Sequence, residues 1–238
     1  MGKRVDLFRV LAVALIAVVA SSGIVAAAPF AGGGFTATYQ TLSVPELNQA
    51  LKAAGLPEVG NAMWLLGGGG YGPLVGADGF TIGGFGAGGH VEAKASNGRT
   101  RWFDLGYGGP RVGYQRPIAG PVSLDAGLGL AFGGATLTVL EPESGKFDLS
   151  TPNQTTYTRF ILGIVPDVSV SLKITPFLHL QAGAAYFWDT RAGKGWTTMR
   201  GTDPLSGAPG DALSGVQYRL ALVFGPEWSR VRDGDSGR

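Results

Sequence analysis

TYTRFILGIVPDVSVSLKITPFLHLQAGAAYFW, residues 156–188, is the stretch whose reading decides the fold. The even positions from Phe160 run Phe160, Leu162, Ile164, Pro166, Val168, Val170, Leu172 and Ile174. The odd positions run Arg159, Ile161, Gly163, Val165, Asp167, Ser169, Ser171 and Lys173. After Thr175-Pro176 the even face resumes as Leu178, Leu180, Ala182, Ala184, Tyr186 and Trp188, opposite Phe177, His179, Gln181, Gly183, Ala185 and Phe187. A period of two, with one apolar face and one polar or small face, is the mark of β-strands. The Thr-Pro pair reads as the tight turn between two of them.

The same alternation recurs along the chain. Leu124, Ala126, Leu128, Leu130 and Phe132 oppose Ser123, Asp125, Gly127, Gly129 and Ala131. Val216, Tyr218, Leu220, Leu222 and Phe224 oppose Gln217, Arg219, Ala221 and Val223. Further strands are expected at 35–40, 62–71, 80–91 and 101–115. Within the last, the apolar parity changes across Gly108-Gly109-Pro110, the pattern a β-bulge would leave. Asn97-Gly98 carries a two-residue hairpin signal. The total of eight strands puts both chain ends on one side, opposite the long polar loops 141–154 and 190–210. A soluble sandwich would bury its bulky face and expose the polar one. Here the second face is tiny and sparsely ionised, which suits the crowded interior of a small barrel whose greasy face meets lipid.

Two other features frame these strands. Lys3-Arg4, the apolar run 10–20 and the small-residue end Val25-Ala26-Ala27 read as a signal peptide over 1–27, cut after Ala27. The apolar run is too short to span a bilayer as a helix. Within the first nine residues Lys3, Arg4 and Arg9 outweigh Asp6 by two charges, which equals the formal +2 of the whole chain. The rest is therefore neutral overall, and no nucleic-acid surface is implied. Ser43, Pro45 and Glu46 with the stripe Leu47, Ala50, Leu51 and Ala54 predict one short helix over 43–54, capped by Ser43. It would plug the lumen, cover one mouth or form part of an entry loop.

The chain contains no cysteine. Disulfides, thiolate metal sites and thiol nucleophiles are thereby excluded. Gly84-x-Gly86-x-x-Gly89 spells a dinucleotide fingerprint, but the pattern continues as strand where that motif needs a helix N-terminus. The glycine run 67–70 lacks the Lys and Ser/Thr of a phosphate loop. No cofactor, metal or catalytic set is expected. Asp125, Arg159, Asp167, Lys173, His179, Gln181, Gln217 and Arg219 are expected to line the lumen. Inside eight strands such groups read as ion pairs and hydrogen bonds filling a narrow space. Trp64, Trp102, Tyr186 and Trp188 read as an interfacial girdle.

On the leader, the alternation and the near-terminal Tyr218-x-Leu220-x-Leu222-x-Phe224, the chain resembles the small bacterial outer-membrane β-barrels across roughly 35–224. The resemblance is architectural. It implies an all-β, antiparallel up-and-down barrel of about eight strands with one short N-terminal helix, embedded in membrane lipid and inserted by barrel-insertion machinery that reads an aromatic-ended last strand. Such proteins usually stop at that aromatic, whereas this chain continues through Gly225-Pro226 into a charged tail. The expected organisation is a signal peptide at 1–27, an N-terminal segment at 28–61, a barrel at 62–225 and a tail at 226–238. The function expected is structural, adhesive or lipid-interacting, without catalysis. Two alternatives stand beside it: a secreted or periplasmic soluble barrel holding a small apolar ligand, and a lipid-modifying barrel enzyme. The enzyme would need His90 or His179 beside a serine or carboxylate at an exposed rim.

Overall fold

The structure, a computed structural model, describes residues 30–141, 153–192, 195–199, 201 and 203–227. The expected signal peptide at 1–27, most of the expected tail and the centre of 141–154 lie outside them.

Eight antiparallel strands close into a barrel: β1 (Gly32–Thr41), β2 (Ala62–Pro73), β3 (Phe80–Lys94), β4 (Thr100–Ala119), β5 (Val122–Leu140), β6 (Gln154–Thr175), β7 (Leu178–Asp189) and β8 (Gly215–Phe224). Each pairs with its sequence neighbours, and the ladder from Gly33↔Phe224 to Gln40↔Gln217 joins β1 to β8. Thr197-Thr198 adds a two-residue ladder on Tyr157 and Thr158 of β6. The short connections 74–79, 120–121 and 176–177 lie at the end where the chain enters and leaves, here the turn side. The connections 42–61, 95–99, 141–153 and 190–214 join strand ends on the opposite side, here the loop side.

Alternation sets the two faces. On β5, Leu124, Leu128, Leu130 and Phe132 are exposed while Ser123, Asp125 and Ala131 are buried. On β8, Tyr218, Leu220, Leu222 and Phe224 are exposed and Gln217, Ala221 and Val223 are buried. The exposed apolar residues continue around the barrel through Phe35, Leu66, Ile82, Val112 and Val168.

β4 corrects one expectation. Its register runs without a shift through Gly108, Gly109 and Pro110 against β3. Arg101, Phe103, Leu105, Tyr107, Arg111 and Gln115 are all buried, on one unbroken inward parity. The apolar residues change face because the interior changes chemistry. Towards the loop side it is packed with hydrocarbon, so Phe103 and Leu105 turn in; towards the turn side it is polar, so Val112 and Tyr114 turn out. The register shift in this strand lies at Pro117/Ala119. Nor is the β3–β4 hairpin a two-residue turn. Ala95 N–H donates to Arg99 O at 2.8 Å and Gly98 N–H to Ala95 O at 3.0 Å, which leaves Ser96, Asn97 and Gly98 as a three-residue loop. Gly98 has a φ of +86°, the left-handed position such loops give to glycine.

The predicted helix forms as α1 (Pro45–Ala53). Leu47 and Leu51 on its buried stripe join Leu42, Val44, Leu56 and Val59 in one cluster with Leu65, Phe103, Leu137, Val139, Ile161, Phe187, Trp196 and Leu213. α1 therefore lies over the loop-side mouth as the lid of a hydrophobic core. Ser43 does not cap it: the N-cap is Val44, which has no side-chain oxygen to offer. The cap comes from across the chain, where Asp211 accepts from Glu46 N–H at 3.1 Å and Leu47 N–H at 2.6 Å. Glu46 answers by accepting from Gly210 N–H at 2.7 Å. Ser43 N–H donates to Ser214 O, and this pins loop 190–214 against the helix start. A carboxylate there satisfies orphan amides and meets the positive end of the helix dipole.

Candidate functional site: the barrel interior and its outer face

Below the hydrocarbon under α1 the interior becomes a ladder of polar groups. The first rung joins β1, β4 and β8. Tyr107 Oη donates to Gln40 Oε1 at 2.6 Å, and Gln217 Nε2 donates to both, at 2.6 and 3.1 Å. The Tyr107 ring leans on Phe187 with centroids 4.6 Å apart, tying this rung to the core above.

The next rung is ionic. Arg111 on β4 donates through Nε and Nη2 to the two oxygens of Asp167 on β6, at 2.9 and 2.8 Å. Its Nη2 also bonds Asp125 on β5. Arg219 on β8 meets Asp167 Oδ1 at 3.0 Å. Two cations thus face two carboxylates, so the cluster is neutral. The side chains of Asp125 and Asp167 are 1% and 3% exposed. Ions this deep require such pairing, since without it desolvation of each costs on the order of several kcal/mol. Glycine makes the room: a Cβ on Gly127 would stand 2.6 Å from Arg111 Nε. Gln181 completes this level by donating to Ser169 Oγ at 2.8 Å. A cavity of about 80 Å³ remains beside the cluster, walled by Gly34, Thr36, Gly69, Tyr71, Phe85 and the ionic groups.

The other expected lumen residues serve the two ends. Arg159 bonds Asp189 Oδ2 at 2.6 Å and the main-chain oxygen of Asp211, at the root of loop 190–214. Lys173 and His179 lie at the turn-side mouth. Lys173 Nζ pairs with Glu227 Oε1 at 2.7 Å. The His179 ring stacks on Phe30, with centroids 3.7 Å apart and planes 4° from parallel. All eight expected residues therefore project inward, but they fall into four separate groups: Gln217 in the first rung, Asp125, Asp167, Gln181 and Arg219 at the ionic level, Arg159 at the loop side, and Lys173 with His179 at the turn-side mouth. Arg111, which bridges Asp125 and Asp167, was missing from the sequence reading, as were Gln40, Arg101 and Tyr107. Arg101 is 1% exposed and donates to the carbonyls of Val91 and Glu58.

On the outer face Trp64, Tyr186 and Trp188 are exposed at the loop-side ends of their strands. Tyr39 sits edge-on to Trp64 at 5.3 Å. At the turn side Phe80 packs edge-on to Tyr114, and Phe177 leans on Phe224. Trp102 differs: it is only part-exposed and stands edge-on to His90 at 6.1 Å. His90 Nδ1 lies 2.8 Å from Asp104 Oδ1, with both side chains about half exposed. This histidine does sit beside a carboxylate on an exposed surface, but among the described residues no hydroxyl is hydrogen-bonded to it. His179 is buried under Phe30 near the Lys173–Glu227 pair, and not at an exposed rim. The dinucleotide-like glycines lie within β3, and no helix follows them. Among the described residues no cluster of His, Cys, Asp and Glu could hold a metal.

A closed barrel with an apolar outer wall, a filled interior and exposed aromatics near both ends is the architecture of small bacterial outer-membrane β-barrels. Comparison with a solved structure at a TM-score of 0.50 agrees at the level of fold. A major outer membrane protein from Thermus thermophilus superposes with a TM-score of 0.50 at 12% identity, over 81% of this chain and 98% of that one. Ail, the attachment invasion locus protein of Yersinia pestis, solved with the heparin analogue sucrose octasulfate, gives 0.45 at 11% identity over 82% and 97%. No family model and no curated protein sequence matches.

Proposed function

We propose that the chain is an outer-membrane barrel that neither catalyses a reaction nor conducts, and that its surfaces do its work in a structural, adhesive or lipid-interacting role. The observation that carries this reading is the filling of the interior. α1 and its hydrocarbon core close the loop side, the glutamine–tyrosine and arginine–aspartate rungs occupy the middle, and the Phe30–His179 stack lies across the turn side. Eight strands leave little more than side-chain room in any case. The outer wall fits lipid in height as well as chemistry. From Phe177 to Tyr186 the chain climbs nine residues. At about 3.4 Å per residue and a tilt of about 40°, that rise is about 23 Å. A membrane barrel carries an apolar band of about 25 Å between its aromatic girdles. In this reading Trp64, Tyr186 and Trp188 form the loop-side girdle, membrane lipid is the constant partner, and loops 141–154 and 190–210 face outward.

The test is electrical. Purified protein reconstituted in planar bilayers should give no discrete current steps at moderate voltage. Regular, protein-dependent steps would refute a filled lumen. A second reading, lipid modification, rests on the His90–Asp104 pair alone. It predicts that His90→Ala changes the lipid composition of the envelope, whereas our reading predicts no change.

A further inference from the structure

The chain does not stop at Phe224, and the residues beyond it are built into the fold. Phe30 bridges Glu227 in an antiparallel pair. That pair keeps the register of the closing ladder, in which Gly33 faces Phe224. Ala31 N–H donates to Pro226 O at 3.1 Å, and Gly225 N–H to Phe177 O at 2.9 Å. The residues just before β1 and just after β8 thus extend the β1–β8 seam past the barrel rim.

They also cross the mouth. Phe30 is 1% exposed and touches three other strands: its ring stacks on His179 of β7 and leans on Tyr71 of β2, and its N–H donates to Gln115 Oε1 of β4 at 2.9 Å. Glu227 reaches Lys173 on β6. Behind this crosspiece several buried polar atoms have no hydrogen-bond partner, among them Gln115 Nε2, Asp125 Oδ2, Ser171 Oγ and His179 Nε2. Buried atoms of this kind normally bind water.

We propose that Phe30 and Gly225-Pro226-Glu227 form a two-ended latch. It zips the last part of the closing seam and stoppers a small hydrated space on the turn side of the arginine–aspartate rung. The latch can form only when both segments are in place, so it is the final step of barrel closure. It depends on the barrel's geometry and not on the membrane the barrel occupies.

The absence of cysteine makes a clean test possible. Ser171 is 1% exposed just behind the latch, and Ser171→Cys adds a single thiol there. Labelling by a small water-soluble thiol reagent is followed in three folded proteins: the full chain with S171C, the same with Phe30→Ala, and the same with Glu227→Gln. Each is first shown to keep a boiling-dependent gel shift. The full chain should label on the order of tenfold or more slowly than the F30A protein, as expected of a site reached only through local opening, with E227Q between them. Equal rates in all three would overturn the latch, whether fast or slow. If F30A does not fold, E227Q decides alone: a rate indistinguishable from the full chain overturns the proposal.

Discussion

Among the described residues, replacing Arg111 by methionine removes the one cation hydrogen-bonded to Asp125 and one of the two that meet Asp167. The side chains concerned are 9%, 1% and 3% exposed, so water screens little of the loss. The four-membered cluster would go from neutral to a net charge of −1, with Asp125 left as an unpaired buried carboxylate. Removing one partner of a buried pair costs about 3–5 kcal/mol. That is a large part of the roughly 5–15 kcal/mol that holds a domain folded. Arg219 stays on Asp167, so the cost is concentrated at Asp125. R111M combined with Asp125→Asn restores neutrality, because Arg219 and Asp167 then face one another alone. The double variant should recover about 2 kcal/mol or more relative to R111M, a coupling typical of contacting charges. Urea unfolding in detergent micelles, followed by tryptophan fluorescence and by the gel shift of the folded form, measures all three proteins. If R111M costs less than about 1 kcal/mol, or if the double variant is no more stable than R111M, then Asp125 does not depend on Arg111 for its charge.

Three further outcomes follow from other parts of the fold. Asp211→Ala removes both acceptors at the start of α1 and should cost about 1–2 kcal/mol, read as faster amide exchange in 45–53 with the barrel ladder unchanged. Gly133→Ala would press a Cβ onto the backbone carbonyl of Gly106 and to 2.7 Å from Tyr107 Cβ. It should lower folding yield far more than Gly72→Ala, whose Cβ would meet nothing within 4 Å. Leu220→Arg, on the exposed apolar wall and level with Ala182 midway between Phe177 and Tyr186, should cost about 2–4 kcal/mol when the protein is folded in lipid, whereas in a soluble barrel a surface change of this kind costs about 0.5 kcal/mol or less.

Parity carried most of the fold. Phe160 to Val170 and Leu124 to Phe132 could be assigned to faces from the sequence because side chains alternate strictly along a strand and the greasy face is uninterrupted; Leu172, on the same parity, is 1% exposed and departs from that pattern. β4 shows where that logic fails. It took hydrophobic as outward throughout, but the loop-side half of this interior is itself hydrophobic, so Phe103 and Leu105 face in and Val112 faces out on one unbroken strand. Keeping that strand straight would have placed Arg101, Arg111 and Gln115 on a common inward face and completed the ionic cluster. The cap of α1 was illegible for a different reason. Asp211 lies 164 residues from Leu47, and no local pattern announces a cap that comes from another loop. The Phe30–His179 stack is equally non-local, since it depends on barrel closure bringing β7 within one strand of β1, which lies far earlier in the chain.

The most direct test of a lipid-embedded, closed barrel is fractionation of the mature protein followed by gel migration with and without boiling. The account predicts recovery in the outer envelope and a folded band that moves only after boiling. Recovery in the soluble fraction without detergent would contradict it, and the exposed wall from Phe35 to Leu222 would then need a partner other than lipid.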